Sequence, residues 1–173
     1  VLDSFSSDQT VKIAEEMGTR VVQRRFDNWS THQNWALEQI PFKHPWVFYL
    51  DADERMTEEL KAELISIAHD PSRTAVAYYC GRRNMFMGRW IRHAMPPGMI
   101  MRLFRPPLVR FERLVTPVPV IDGPHGYLRG MLDHYNFSKG ISEWIDKHNR
   151  YSQLEAHEGM KLIHQPSEAQ PGL

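Results

Sequence analysis

The most apolar run of this 173-residue chain, Trp46-Val47-Phe48-Tyr49-Leu50, stops at an acidic triplet, Asp51-Ala52-Asp53. A short continuous apolar run suits a central strand buried on both faces, which is the kind of strand that parallel sheets covered by helices contain. In open α/β sheets the ligand crevice lies beyond the carboxyl ends of the strands. Acids that terminate such a strand therefore stand where a ligand binds.

A second strand ends in the same way. Val1-Leu2 leads into Asp3, and Ser7 or Asp8 can cap a helix over residues 9–17 with Val11, Ala14 and Met17 on one face and Gly18 closing it. A short strand over 20–23 follows. Strand, helix and strand in this order make a βαβ unit and imply a parallel sheet. A helix over 30–39 places Trp35, Ala36 and Ile40 inward and stops at Pro41. Thr57 caps another to about Ala68, with Leu60, Leu64 and Ile67 inward and Glu58 and Glu59 at its positive end. Strands are expected over 75–80, near 99–103 and near 118–121, and a last helix over 138–157 with Ile141, Trp144, Ile145, His148 and Tyr151 along one side. The tail from His164, rich in Pro, Gly and Gln, is expected to fray. The fold class is thus α/β, a Rossmann-like, mostly parallel sheet flanked by helices with an irregular second half.

Composition removes several classes. Cys80 is the one cysteine, so no internal disulfide forms. The His residues are scattered without the paired spacing of a zinc site. No apolar stretch reaches the roughly 20 residues that cross a bilayer. The chain reads as cytoplasmic, with any contact with the inner membrane peripheral. Acids outnumber Lys and Arg over 1–70, whereas 82–113 carries Arg82, Arg83, Arg89, Arg92, Arg102, Arg105, Arg110 and Arg113 against Glu112 alone. Segregated charge of this kind marks surfaces with different partners.

Two carboxylates at a strand end suit a hard cation such as Mg2+ or Mn2+. Such an ion, bridging phosphate oxygens, stabilises the charge that grows on a departing diphosphate. An isolated Asp-x-Asp also fits a turn cluster ahead of the Thr57 helix. The second acid-ended strand tips the weighing toward chemistry.

The stretch VLDSFSSDQT, continued by NWAL at Asn34–Leu37 and WVFYLDADE at Trp46–Glu54, resembles the family 2 glycosyltransferases. LDHYNFSKGISEWIDKHNRYSQLEA, from Leu132 to Ala156, is similar to the later part of a bacterial subgroup that builds lipopolysaccharide core or exopolysaccharide. The resemblance implies a GT-A fold, with residues 1–80 as the nucleotide-sugar-binding part, 81–160 as the acceptor side of the same domain and 161–173 as a flexible tail. It implies that Asp3 meets the donor's base, that Asp51 lies at its ribose and the metal, and that Ser4, Asn34 and Ala52 belong to the donor pocket. It further implies that Asp51, Asp53 and His134 serve the metal. For His134, a buried histidine bonded to backbone is an equal alternative. Lys147, His148 and Arg150 reach phosphate or form a solvated face, the latter favoured for Lys147.

The sequence departs from the family in places. An opening strand with an Asn-Glu pair is absent, so an N-terminally truncated fragment is expected. Gln33 replaces a basic residue, and Thr116-Pro117 stands where many relatives have His-Glu or His-Pro. The usual Glu-Asp motif with the general base is not visible, which leaves Glu112, Asp122 and Asp133 as candidates. In the 82–113 segment Met85, Phe86, Met87, Trp90, Ile91, Met95 and Met101 alternate with the arginines. That pattern suits a surface meeting anionic lipid or a lipid-linked phosphorylated sugar, or an interior packed on apolar residues with arginines outward, and nucleic acid least.

The expected function is inverting transfer of a sugar from a nucleotide-diphosphate donor to a lipopolysaccharide core or lipid-linked exopolysaccharide acceptor. Its rivals are a degraded, non-catalytic sugar-nucleotide or lipid-surface binding fragment and, less favoured, a nucleotidyltransferase.

Overall fold

The computed structural model describes residues 1–93 and 98–164; Met95 and the tail beyond His164 lie outside the described residues. The chain divides into two compact units, Val1–Lys43 with Arg110–Val120, and His44–Val109 with the chain from Ile121 onward.

The first unit holds strand β1 (Leu2–Asp3), helix α1 (Thr10–Glu16), strand β2 (Val22–Gln23) and helix α2 (Trp29–Gln39). β1 and β2 pair in parallel, as the βαβ reading requires. Gln9 occupies the cap position of α1 without a side-chain bond, and the Asp8 carboxylate instead accepts from the Thr10 N–H at 2.9 Å. Gly18 closes α1 at φ 71°, a left-handed conformation that glycine adopts without strain. Ala14 is buried as expected, but Met17 is 79% exposed. α2 is capped by Asn28, whose side chain accepts from the Thr31 N–H. Its buried positions are Ser30, His32 and Gln33, while Trp35, Ala36 and Ile40 are half-buried. Polar contacts account for that face. Ser30 Oγ donates to the Arg113 carbonyl, and Arg24 Nη1 lies 2.9 Å from His32 Nδ1.

The second unit is built on a six-stranded sheet. Its strands are β3 (Val47–Phe48), β4 (Glu54–Met56), β5 (Ala77–Phe86), β6 (Arg89–Trp90), β7 (Met99–Phe104) and β10 (His125–His134). Strands β8 (Val109–Glu112) and β9 (Val118–Ile121) pair separately. The large sheet runs β3-β7-β5-β10-β4, with β6 folded onto β5. Only β5–β10 is parallel in it; β3–β7, β5–β7, β5–β6 and β4–β10 are antiparallel. The α/β architecture stands, with a mixed sheet whose parallel share is smaller than the apolar runs imply. Trp46–Leu50 yields only the two-residue edge strand β3, and Leu50 is 43% exposed. β7 is its one strand neighbour among the described residues, so this run has no second partner to bury it.

Helix α3 (Glu58–Ala68) follows the sequence closely. Thr57 Oγ1 accepts from the Leu60 N–H and donates to the Met131 carbonyl, which fixes the helix start to β10. Leu60 and Ile67 are buried and pack with Tyr78, Cys80, Leu103, Leu128 and Leu132 in the main core. The approach is close enough to need Gly130, where a Cβ would fall 2.4 Å from Leu60 Cα. Between Tyr127 and Met131, β10 spends four positions against two of β5 (Tyr79 to Gly81). This bulge is held by Glu63, whose carboxylate accepts from the Arg129 and Gly130 N–H groups. Helix α4 spans Ile141–His164, starting and ending later than expected. Phe137 stacks on Trp144 at 5.2 Å and meets Phe86 edge-on at 4.9 Å, which ties α4 to the end of β5.

Candidate active site

β10 places His134 beside Glu54 of β4 and Asn84 of β5, at the end of the sheet where the Asp51–Asp53 turn enters β4. His134 Nε2 lies 3.4 Å from Asp53 Oδ2, and Nδ1 lies 2.8 Å from Asn84 Oδ1. An amide oxygen only accepts, so Nδ1 carries a proton and Nε2 is turned toward the carboxylate. The Tyr135 N–H donates to the Asp53 carbonyl at 2.8 Å, anchoring the same turn through its backbone. The hydrogen bond from His134 holds the Asp53 carboxyl below its ordinary value. Burial opposes this, and the charges of His134 and Lys147 reinforce it. Lys147, expected on a solvated face, is half-buried, with its ammonium 5.6 Å from the Tyr151 ring centre.

Asp51 faces a different partner. Arg102, 2% exposed, donates through Nη2 to Asp51 Oδ2 at 2.5 Å and to Glu54 Oε1 at 2.6 Å. Glu54 is 1% exposed; its Oε2 accepts from the Asp51 N–H at 3.1 Å, and Arg82 Nη1 lies 3.7 Å from its Oε1. The Arg102 guanidinium also sits 4.8 Å from the Tyr49 ring centre. Burial would lower the Arg102 pKa, but the charges of Asp51 and Glu54 raise it above the ordinary value, so the ion stays charged. Arg102, Glu54 and Asn84 are the residues that motif reading missed. An arginine between Met101 and Leu103 inside an apolar strand was the available signal, since a lone charge there must find a buried partner.

The other expected site residues make contacts of their own. Asp3 is 5% exposed, and its carboxylate accepts from the Ser6 N–H, from Ser6 Oγ at 2.5 Å and from Gln23 Nε2 at 3.0 Å. Ser4 is exposed. Asn34 grips Phe111: Nδ2 donates to its carbonyl and Oδ1 accepts its N–H, both at 2.8 Å. Ala52 is exposed, and its carbonyl accepts from Arg55 Nη1. Among the base candidates, Glu112 pairs with Arg110 at 2.7 Å on the surface of the first unit. Asp133 pairs with Arg83 at 2.6 Å and, next to His134 on one strand, points to the opposite face of the sheet. Asp122 precedes the far end of β10, roughly 25 Å from His134 by strand rise.

Asp53 and His134 are a fit for a divalent cation that draws its other ligands from phosphate and water. Among the described residues no three His, Cys, Asp or Glu side chains converge as a complete protein cage. In the arginine segment Arg105 lies over Trp46, and Arg83 and Arg92 flank Trp90. Met101 is buried and Met87 is 86% exposed. Both packing and surface roles are therefore present in that segment. No helix among the described residues is long and apolar enough to cross a membrane.

Comparison with known proteins gives a consistent result. A family model described as glycosyl transferase family 2 matches residues 1–135. An uncharacterized glycosyltransferase of Rickettsia typhi is 26% identical over 174 residues, covering 93% of this chain and 58% of its own length. One of Rickettsia prowazekii gives the same figures. A TPR repeat-containing protein of Synechococcus elongatus is 33% identical over 115 residues, 65% of this chain and 26% of its own. The chain thus spans somewhat more than half the length of its rickettsial relatives.

Proposed function

This chain belongs to glycosyl transferase family 2, and from that premise we propose that it transfers a sugar, with inversion, from a nucleotide-diphosphate donor to a bacterial cell-surface glycan. The acceptor class is a lipopolysaccharide core or a lipid-linked exopolysaccharide. Exposed Met87, Arg89 and Arg92 offer it, or the inner-membrane surface, an apolar and cationic contact. The observation that carries the reading is the Asp53–His134 pair at 3.4 Å, with Asn84 behind the imidazole.

In this reading Asp53 and His134 hold Mg2+ or Mn2+, which when bound supplies positive charge to the departing diphosphate. Asp53, like an ordinary aspartate, is a carboxylate through the neutral range. Asn84 fixes the ring of His134 so that Nε2 faces the turn, in the way a hydrogen bond to the distal nitrogen orients a metal-binding histidine. Lys147 brings a further cation to the side where phosphate negative charge grows. Asp51, with one oxygen on Arg102, has its second oxygen for the ribose, next to Ala52. In the first unit, Asp3, Ser4 and Asn34 are proposed to support the base of the donor. The acceptor's proton goes to a carboxylate. Of the candidates, Asp122 lies roughly 25 Å along β10 from His134, and Asp133 faces the other side of the sheet in an ion pair with Arg83. That leaves Glu112 as the one to test. Replacing the true base by its amide should lower kcat by roughly 10²–10⁴ with donor binding intact.

The test is calorimetric titration of UDP and UDP-glucose, then of GDP- and dTDP-sugars, with Mn2+ and again with EDTA. Binding that requires the metal and disappears in Asp53→Ala is the expected result. A folded wild-type chain that binds none of these donors in Mn2+ would overturn the reading. Donor binding without turnover on any glycan acceptor would favour the non-catalytic binding module.

A further inference from the structure

The two aspartates of the motif have unlike surroundings, and the difference traces to one residue on β7. Arg102 is the largest of the fully buried side chains, and it sits in an apolar stretch of strand. A single nitrogen, Nη2, contacts both Asp51 and Glu54, the residues at either end of the motif turn. Glu54 closes the loop by accepting the Asp51 N–H, and the Glu54 N–H donates to the Asp51 carbonyl at 3.0 Å. The turn is therefore cross-braced by side chain and backbone alike. Asp53, the central acid of that brace, takes no part in it and points to His134.

We propose that Arg102 is a positioning residue for the transfer reaction: it clamps the Asp51–Glu54 turn and neutralises Asp51, so that of the two motif aspartates Asp53 alone is presented to the cation. The role rests on the glycosyltransferase reading of the site. Its physical basis is charge partition. Two uncompensated carboxylates two residues apart would compete for one cation and repel each other. With Arg102 and Arg82 set against Asp51 and Glu54, two cations against two acids, the negative charge left at the turn is that of Asp53. The Tyr49 ring beneath the guanidinium and the 3.7 Å approach of Arg82 to Glu54 hold the clamp in register.

Two variants separate positioning from folding. Arg102→Lys keeps the charge but carries its one nitrogen on a shorter side chain, short of the point where Nη2 meets both acids. The double variant Arg102→Met with Glu54→Gln removes the buried ions together, so no charge is left unpaired in the core. Amide exchange is read at Asp51, Glu54 and Tyr135, with Leu128 and Leu132 as core references, and Mn2+-dependent UDP affinity is read in parallel. The expected result is exchange at the turn at least tenfold faster with core exchange unchanged, and Mn2+-dependent UDP affinity reduced roughly 10–100-fold, as when the support that orients a metal ligand is lost, here the turn that carries Asp53. Unchanged affinity in a folded double variant overturns the proposal, even where the turn amides loosen. Unchanged turn exchange in both variants overturns it as well. A wild-type chain that binds no donor in Mn2+ overturns the transfer reading instead, and the clamp is then judged on turn exchange alone.

Discussion

Asp3 ends its strand as an acid, yet its carboxylate is answered within a few residues by Ser6 and across the strand pair by Gln23. The Gln23 hydrogen bond, followed by that of Ser6, holds its pKa below the ordinary 3.8 against the opposing effect of burial. A depressed carboxyl stabilises the folded form above the unfolded pKa and loses that contribution as pH falls through the folded value. The β1–β2 pair should therefore loosen on acidification below about 3.8, with faster exchange at Val22 and Arg24. Asp3→Asn should weaken the pair at neutral pH and flatten that acid dependence. A wild-type pair indifferent to acid would show that the network contributes nothing. At this scale the sequence discloses which residues are chemically able, and the structure sets two of the candidates, Asp53 and His134, 3.4 Å apart. It does not disclose which able residue is already engaged. Asp3 and Asn34 carry the right groups, and both are bonded inside their own unit, a fact that depends on contacts 20 and 77 residues away.

Among the elements, α3 was legible because every signal agreed: a capping Thr57, acids in the first turn and apolar residues at helical spacing. β10 was not. Its sequence, His125-Gly126-Tyr127-Leu128-Arg129-Gly130-Met131-Leu132-Asp133-His134, carries Gly126, Gly130 and Asp133, residue types that are depleted in strands in general. Tertiary packing explains the glycines: a Cβ at Gly126 would lie 2.8 Å from the Tyr78 ring, and one at Gly130 would strike the α3 backbone. Gly130→Ala should lower the unfolding free energy by about 3 kcal/mol, near the upper end for overpacking, because a helix backbone cannot step aside as a side chain can. Denaturant titration would measure it, and a loss under about 0.5 kcal/mol would mean that α3 is free to shift. The same reasoning explains the failure at Trp46–Leu50. Hydrophobicity announced a buried strand, but burial depends on neighbours, and this strand has one.

For the whole molecule, the two units differ in what they bury. In the first, the buried apolar side chains among the described residues are Ala14, Phe111 and Val115, beside buried Asp3, Ser30, His32 and Gln33. The second has a contiguous apolar core around Leu60, Leu103 and Leu132. Local opening follows apolar contact, so amides of α1 and β2 should exchange at lower free energy than those of β5 and β10. Cys80 supplies a second readout. It is fully buried, and burial pushes its thiol up to about 12, so a thiol reagent should label it only when the second unit opens. Labelling at the rate of first-unit exchange would contradict this division.

The bulge in β10 has a consequence for how sequence length can vary in this chain. Strand side chains alternate with a period of two, and between Tyr127 and Met131 β10 takes two more steps than β5 does between Tyr79 and Gly81. The strand therefore leaves the bulge in the same pleat phase in which it entered. Loss or gain of one residue there would exchange the faces of His134 and Asp133, taking the imidazole off the Asp53 side of the sheet. Loss of two would erase the bulge and keep each on its own face. Homologous chains that retain this histidine beside the motif should thus differ in this segment by even steps only.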